Sequence, residues 1–190
     1  GIVGIGNIGR EVAKIAQAFS MEVVVHARPR HKIWIESEGF IYATTIEDAA
    51  KGADFISFHT GLGAPNPESG KFENEAMIGE SVLNALNDGA VLINYDRGEV
   101  VDAEALDKAL SSGKVRYAAI DADIFKNPDN GEITGPMAPY LALEKKHSGK
   151  MELLPHAAAD TEHVSRVEGA KQAVDQIFSV IQFKTVINLK

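Results

Sequence analysis

The chain opens with GIVGIGNIGR, which sets Gly4, Gly6 and Gly9 at a Gly-x-Gly-x-x-Gly spacing. That spacing suits a loop that admits a pyrophosphate. Gly4 makes a tight turn, Gly6 clears space for the phosphates, and Gly9 lets helix and sheet approach closely. Asn7 and Ile8 lie between the last two glycines, at the start of the helix that follows. Its free N–H groups and positive end favour a phosphate anion. Gly4, Gly6, Asn7, Ile8 and Gly9 are therefore candidate dinucleotide ligands. A tight turn without a ligand is the plainer alternative.

The next strand ends in VVVHARPRHK. A site that prefers NAD carries Asp or Glu about 20 residues beyond the glycines, where it bonds the ribose 2′-OH. Ala27 occupies that position, and Arg28, Arg30, His31 and Lys32 follow it. A carboxylate would repel a 2′-phosphate, whereas arginine attracts one. Arg28 is thus a cofactor-binding candidate, and the expected cofactor is NADP(H) in preference to NAD(H). The alternative is a solvated basic turn, with NAD held by other contacts. Two more residues stand just past strands: Arg97 after VLINYD and His156 after MELLP. Both strand ends face the expected cofactor crevice.

These groups need a scaffold that gathers strand ends on one side. The pattern alternates short β-rich runs with helical ones. Strands are expected at GIVGI, 21–27, 40–44, 53–59, 90–95, 115–122 and 151–156. Helices are expected at 8–19, after a Thr44-x-x-Glu47 cap, at 80–87, and from an Asp102 cap to a stop at Gly113. Residues 8–19 place Val12, Ile15, Ala16 and Phe19 on one face. A long amphipathic helix covers about 161–182, with Val164, Val167, Val174, Ile177, Phe178 and Ile181 inward. Alternating elements imply right-handed βαβ units and a doubly wound parallel sheet of Rossmann type. Ligands bind such a sheet at the carboxyl ends of its strands. Residues 61–79 and 123–150 read as long polar loops, which in compact domains are usually functional or mobile.

Composition narrows the classes. The 190 residues are 45% hydrophobic and 24% charged, with net charge −8 and no cysteine. The acidic balance argues against nucleic-acid binding. Disulfides and thiolate zinc sites are excluded, and no His/Asp/Glu spacing suits a metal. No run of about 18 apolar residues suggests a membrane span. A cytoplasmic protein fits these numbers.

Five stretches in order, GIVGIGNIGR, ADFISFH, LINYDRGEVVDAEAL, GKVRYAAIDA and LLPHAAADTE, resemble the D-isomer-specific 2-hydroxyacid dehydrogenases. The resemblance spans nearly the whole chain, and phosphoglycerate dehydrogenase is the member it most suggests. It implies hydride transfer between a nicotinamide dinucleotide and a D-2-hydroxy acid or 2-oxo acid, a small anionic substrate. It gives Arg97 the substrate carboxylate and carbonyl, through a planar fork of donors. It gives His156 the general acid or base, for which a pKa near 6.5 is suited. Asp121 matches an aspartate at the cofactor's nicotinamide end. Homodimers are usual in the family.

The chain departs from the family pattern at three places. In the family a glutamate a few residues after Asp121 pairs with the catalytic histidine; here the fifth residue on is Lys126, and Asp123, Asp129 or Glu132 could supply the carboxylate for His156. The small or hydroxyl residue before Arg97 is here Asp96. The proline after the His-x pair is here Gly61. A non-catalytic dinucleotide-sensing module is the alternative these departures raise. The resemblance further implies that residues 1–190 are a cofactor domain, with the substrate domain outside this chain and little turnover from the chain alone.

Overall fold

The computed structural model describes residues 1–155 and 163–183. Residues 1–155 form one compact unit. At its centre is a seven-stranded sheet in which every pairing is parallel. The strands are β1 (Ile2–Val3), β2 (Val24–His26), β3 (Ile41–Ala43), β4 (Phe55–Phe58), β5 (Ala90–Asn94), β6 (Val115–Ala122) and β9 (Met151–Pro155). Their spatial order is β3-β2-β1-β4-β5-β6-β9. The chain therefore winds outward from β1 in one direction, crosses back over it, and continues the other way. This is the doubly wound parallel sheet expected from the sequence. The reversal leaves a crevice between β1 and β4 at their carboxyl ends.

The helices are α1 (Asn7–Ala18), α2 (Lys32–Ser37), α3 (Ile46–Ala50), α4 (Glu80–Ala85), α5 (Ala103–Ser112) and α6 (Ala138–Lys146). Apolar strand residues feed two clusters. One gathers Phe58, Leu92 and Ile120 with Leu106 and Leu110 of α5. The other gathers Ile2, Val25 and Ile35 with Ala13 of α1. The Asp102 carboxylate caps α5 by accepting from the N–H groups of Glu104 and Ala105, and Gly113 ends it at φ 81°. Left-handed backbone there favours glycine.

Several local expectations change. The cap before α3 is Thr45, whose hydroxyl accepts from Asp48 N, not Thr44. Thr44 donates its own hydroxyl to the Asp48 carboxylate instead. The residues of α1 that are fully buried are Gly9 and Ala13, because a close approach to the sheet admits only small side chains. Ile15 and Phe19 are exposed. The expected loop 123–150 contains a two-stranded antiparallel hairpin, β7 (Phe125–Lys126) with β8 (Ile133–Thr134), and then α6. Pro139 disguises α6 in the sequence, yet proline in a first helical turn forfeits no helical hydrogen bond.

Helix α7 (His163–Phe183) belongs to a second unit. Val167, Val174, Ile177, Phe178 and Ile181 are exposed on it, contrary to the inward face expected from the sequence. Periodicity reveals an apolar stripe but not what covers it.

Candidate dinucleotide-binding site

The loop after β1 enters the crevice directly. Gly4 donates its N–H to the carbonyl of His26 at 2.9 Å and has φ 93°. A Cβ on Gly4 would collide with the His59 carbonyl, and a Cβ on Gly9 with the Gly4 carbonyl. A Cβ on Gly6 would meet nothing within 4 Å. The three glycines are thus distinct in steric terms. Two are required by the fold, and the third borders open space at the start of α1. The N-cap of α1 is Gly6, which has no side chain to cap the helix, and the first turn borders that space. The residues fit a pyrophosphate at this position.

A cavity of about 610 Å³ joins this loop to the end of β2. Gly4 and Gly6 line one side, and Ala27, Arg28, Arg30 and His31 line another. The basic stretch is not an irregular turn. Pro29–His31 forms a 3-10 turn that runs directly into α2. Tyr42 holds the strand end by donating its hydroxyl to the Ala27 carbonyl at 3.2 Å. The Arg10 guanidinium sits 4.2 Å from the Trp34 ring centroid, and its Nε donates to the Ile5 carbonyl. Partial burial, followed by Arg30, Arg10 and Arg28, lowers the His31 pKa below its ordinary 6.5. Three arginine side chains thus lie close enough to His31 to disfavour its protonation.

On the other side of β1, the ends of β4 and β5 close the crevice. A smaller pocket is lined by Gly6, Asn7, Ile8 and Gly9, by His59, Thr60 and Gly61, and by Tyr95 and Asp96. Arg97 follows immediately. Asn94, fully buried, shapes this turn: its Nδ2 donates to the Arg97 carbonyl at 2.8 Å, and its Oδ1 accepts from Asp96 N at 3.2 Å. Asp96 reaches across to the β4 loop. Its Oδ2 accepts from Thr60 N at 2.6 Å, from the Thr60 hydroxyl at 3.2 Å, and from Gly61 N. The two departures at 61 and 96 are therefore partners. A proline at 61 would have no N–H to give.

His59 donates or accepts through Nε2 with the Ser57 hydroxyl at 2.9 Å, while its buried Nδ1 has no partner among the described residues. Burial lowers its pKa and the Asp96 carboxylate opposes that shift. A pKa below 6.5 leaves the ring neutral at pH 7.

Asp121 is buried near the end of β6. Arg97 Nη1 lies 3.5 Å from Asp123 Oδ2. Asp123, one of the three carboxylates offered as a partner for His156, thus pairs with Arg97. Asp129 and Glu132 lie in the exposed turn of the β7–β8 hairpin, tied locally to Asn127 and Asn130. Lys126 is exposed on β7. His156 lies outside the described residues. Among those residues, no group of three or more His, Asp or Glu side chains is placed to hold a metal ion.

The sequence reading missed Asn94 and Tyr140. A lone polar residue closing the apolar run AVLI was the available signal for the first. For Tyr140 there was none. Its hydroxyl reaches from α6 to the carbonyls of Gly98 and Val101, at 2.6 and 2.8 Å, and supports the turn just after Arg97.

The family model described as "D-isomer specific 2-hydroxyacid dehydrogenase, NAD binding domain" matches residues 1–137. The chain belongs to this family. Glyoxylate reductase of Aeropyrum pernix is 34% identical over 189 residues, covering 100% of this chain and 50% of that protein. D-3-phosphoglycerate dehydrogenase of Methanocaldococcus jannaschii is 30% identical over 189 residues, covering 100% and 32%. The structure of D-lactate dehydrogenase with NAD+ from Lactobacillus jensenii superposes with a TM-score of 0.71 at 25% identity, covering 98% of this chain and 53% of that one. An acyclic imino acid reductase solved with NADPH and D-Arg gives 0.69 at 26% identity, covering 98% and 52%. The chain spans about half the length of the first of these relatives. It is an NAD(P)-binding domain of the D-2-hydroxyacid dehydrogenase type. Among the described residues no helix is long and apolar enough to cross a membrane.

Proposed function

We propose that these 190 residues are the cofactor-binding part of an NADP(H)-preferring dehydrogenase acting on a small anionic D-2-hydroxy acid or its 2-oxo counterpart. The substrate-binding part lies in polypeptide outside this chain, and the chain alone turns over little. Glyoxylate and 3-phosphoglycerate, named by the relatives above, are the first substrates to try. The carrying observation is the shared pocket: the glycine loop faces the residues that lead directly into Arg97.

In this reading the N-terminus of α1 holds the pyrophosphate, with Gly4, Gly6, Asn7, Ile8 and Gly9 forming its bed. Arg28, with Arg30 and His31, holds the 2′-phosphate, supported by the absence of a carboxylate at Ala27. Asp121 serves the nicotinamide end. The bound cofactor supplies or accepts the hydride. Arg97 binds and orients the substrate carboxylate, and Asp123 steadies its guanidinium. His156 gives a proton to the carbonyl oxygen on reduction and takes it back on oxidation. Cytoplasmic location and homodimer formation are part of the same proposal.

The test is His156→Ala in a chain that includes the substrate-binding part. The proposal expects turnover of 2-oxo acids with NADPH to disappear while NADPH binding persists. A dinucleotide sensor would show no turnover to lose.

A further inference from the structure

Asp96 presents an arrangement that the glycine loop, Arg97 and Asp121 do not account for. One carboxylate oxygen collects three donors from two consecutive residues of the neighbouring loop: Thr60 N, Gly61 N and the Thr60 hydroxyl. Adjacent backbone N–H groups that converge on a point form an anion nest. Gly61, with φ 71°, supplies the left-handed residue such a nest needs. The nest opens beside the first turn of α1, within the crevice.

An internal carboxylate in a nest could be a stand-in that a ligand displaces. The backbone argues against this. Asp96 N is bound by Asn94 Oδ1, and the carbonyl of the next residue by Asn94 Nδ2. Asn94 is wholly buried. The turn carrying Asp96 is thus fixed from beneath, and the carboxylate projects from a fixed base into fixed donors. Without an acceptor, two loop N–H groups at the crevice wall would have to find other partners.

We propose that Asp96 is a positioning residue of the cofactor crevice: its carboxylate, held by Thr60 and Gly61, ties the β4 loop to the turn that carries Arg97. It shapes the wall against which the cofactor lies without being a ligand itself. This inference rests on the crevice being the dinucleotide site.

The experiment titrates NADPH calorimetrically into the 190-residue chain and its Asp96→Ser and Asp96→Asn variants, and records the Thr60 and Gly61 amide resonances. Asparagine keeps an oxygen acceptor at the same reach, whereas serine does not. Asp96→Ser is expected to weaken NADPH at least about fivefold, and Asp96→Asn to stay within about twofold of the wild type. The two amide protons should move upfield in the serine variant and less in the asparagine variant. Binding by Asp96→Ser as tight as wild type, or tighter, overturns the proposal and favours a displaceable stand-in anion. Equal losses in both variants also overturn it, because charge rather than the acceptor would then matter. If the wild-type chain binds neither NADPH nor NADH, the dinucleotide reading itself fails, and this inference falls with it.

Discussion

Arg97 Nη1 faces Asp123 Oδ2 at 3.5 Å, with each side chain about one-third exposed (37% and 35%). The pair joins the loop after β5 to the loop after β6, and among the described residues no other side chain is hydrogen-bonded to the guanidinium. An orienting carboxylate on one arm suits a group that must present its other donors to a second carboxylate. In a chain that includes the proposed substrate-binding part, Arg97→Lys should therefore be costly. Lysine keeps the charge but offers a point donor in place of a planar fork. Hydrogen bonds to charged groups contribute about 1.5–3 kcal/mol, so kcat/KM for the 2-oxo acid should fall roughly 10- to 100-fold. NADPH affinity should not change. Steady-state kinetics with a calorimetric control checks both halves.

The glycine loop gives a sharper contrast. Gly4→Ala sets a Cβ against the His59 carbonyl in left-handed backbone and should lower thermal stability markedly. Gly6→Ala places its Cβ in open space, so stability should stay within about 0.5 kcal/mol of wild type. Its methyl group then stands where the pyrophosphate must lie, and NADPH binding should weaken by at least about tenfold. Thermal unfolding paired with titration distinguishes a fold glycine from a ligand glycine.

His31 supplies a pH signature. In the free chain, partial burial and then Arg30, Arg10 and Arg28 depress its pKa below 6.5. A 2′-phosphate beside it favours the protonated ring and raises that pKa in the complex. Binding then takes up a proton between the two pKa values, so NADPH affinity should rise as pH falls through that interval. NADH, which lacks the phosphate, should show no such slope. His31→Gln should flatten the NADPH curve.

Tyr140→Phe tests the support beneath Arg97. The buried hydroxyl bonds the carbonyls of Gly98 and Val101, and burial together with Glu99 and Asp102 pushes its pKa far above the ordinary tyrosine value. It therefore stays protonated and acts only as a donor. Its loss should cost about 1–2 kcal/mol and lower Tm by roughly 2–8 °C. NADPH binding should be little affected, since the tyrosine lies behind the turn.

How far the sequence reveals this molecule depends on what each residue's role needs. Asp102 and Gly113 bracket α5 as expected, because capping and left-handed termination are local chemistry. The parallel sheet was legible in alternating apolar runs for the same reason. The Thr44 cap slipped by one residue because Thr44 and Thr45 are chemically alike and only backbone geometry distinguishes them. Helix α6 was hidden by Pro139, and Tyr140 with it. In the sequence, Gly61 and Asp96 read as two separate departures. They lie 35 residues apart, and only the pairing of β4 with β5 shows that one accepts a hydrogen bond from the other. The pairing of Arg97 with Asp123 likewise depended on where the chain turns after β6.

A crevice that binds a nicotinamide dinucleotide and recognises its 2′-phosphate through the basic turn after β2 must discriminate between NADPH and NADH. Calorimetric titration of the 190-residue chain with NADPH and with NADH tests it most directly. One site per chain and tighter binding of NADPH are expected. Binding of NADH as tight as NADPH, or no binding of either, would contradict it.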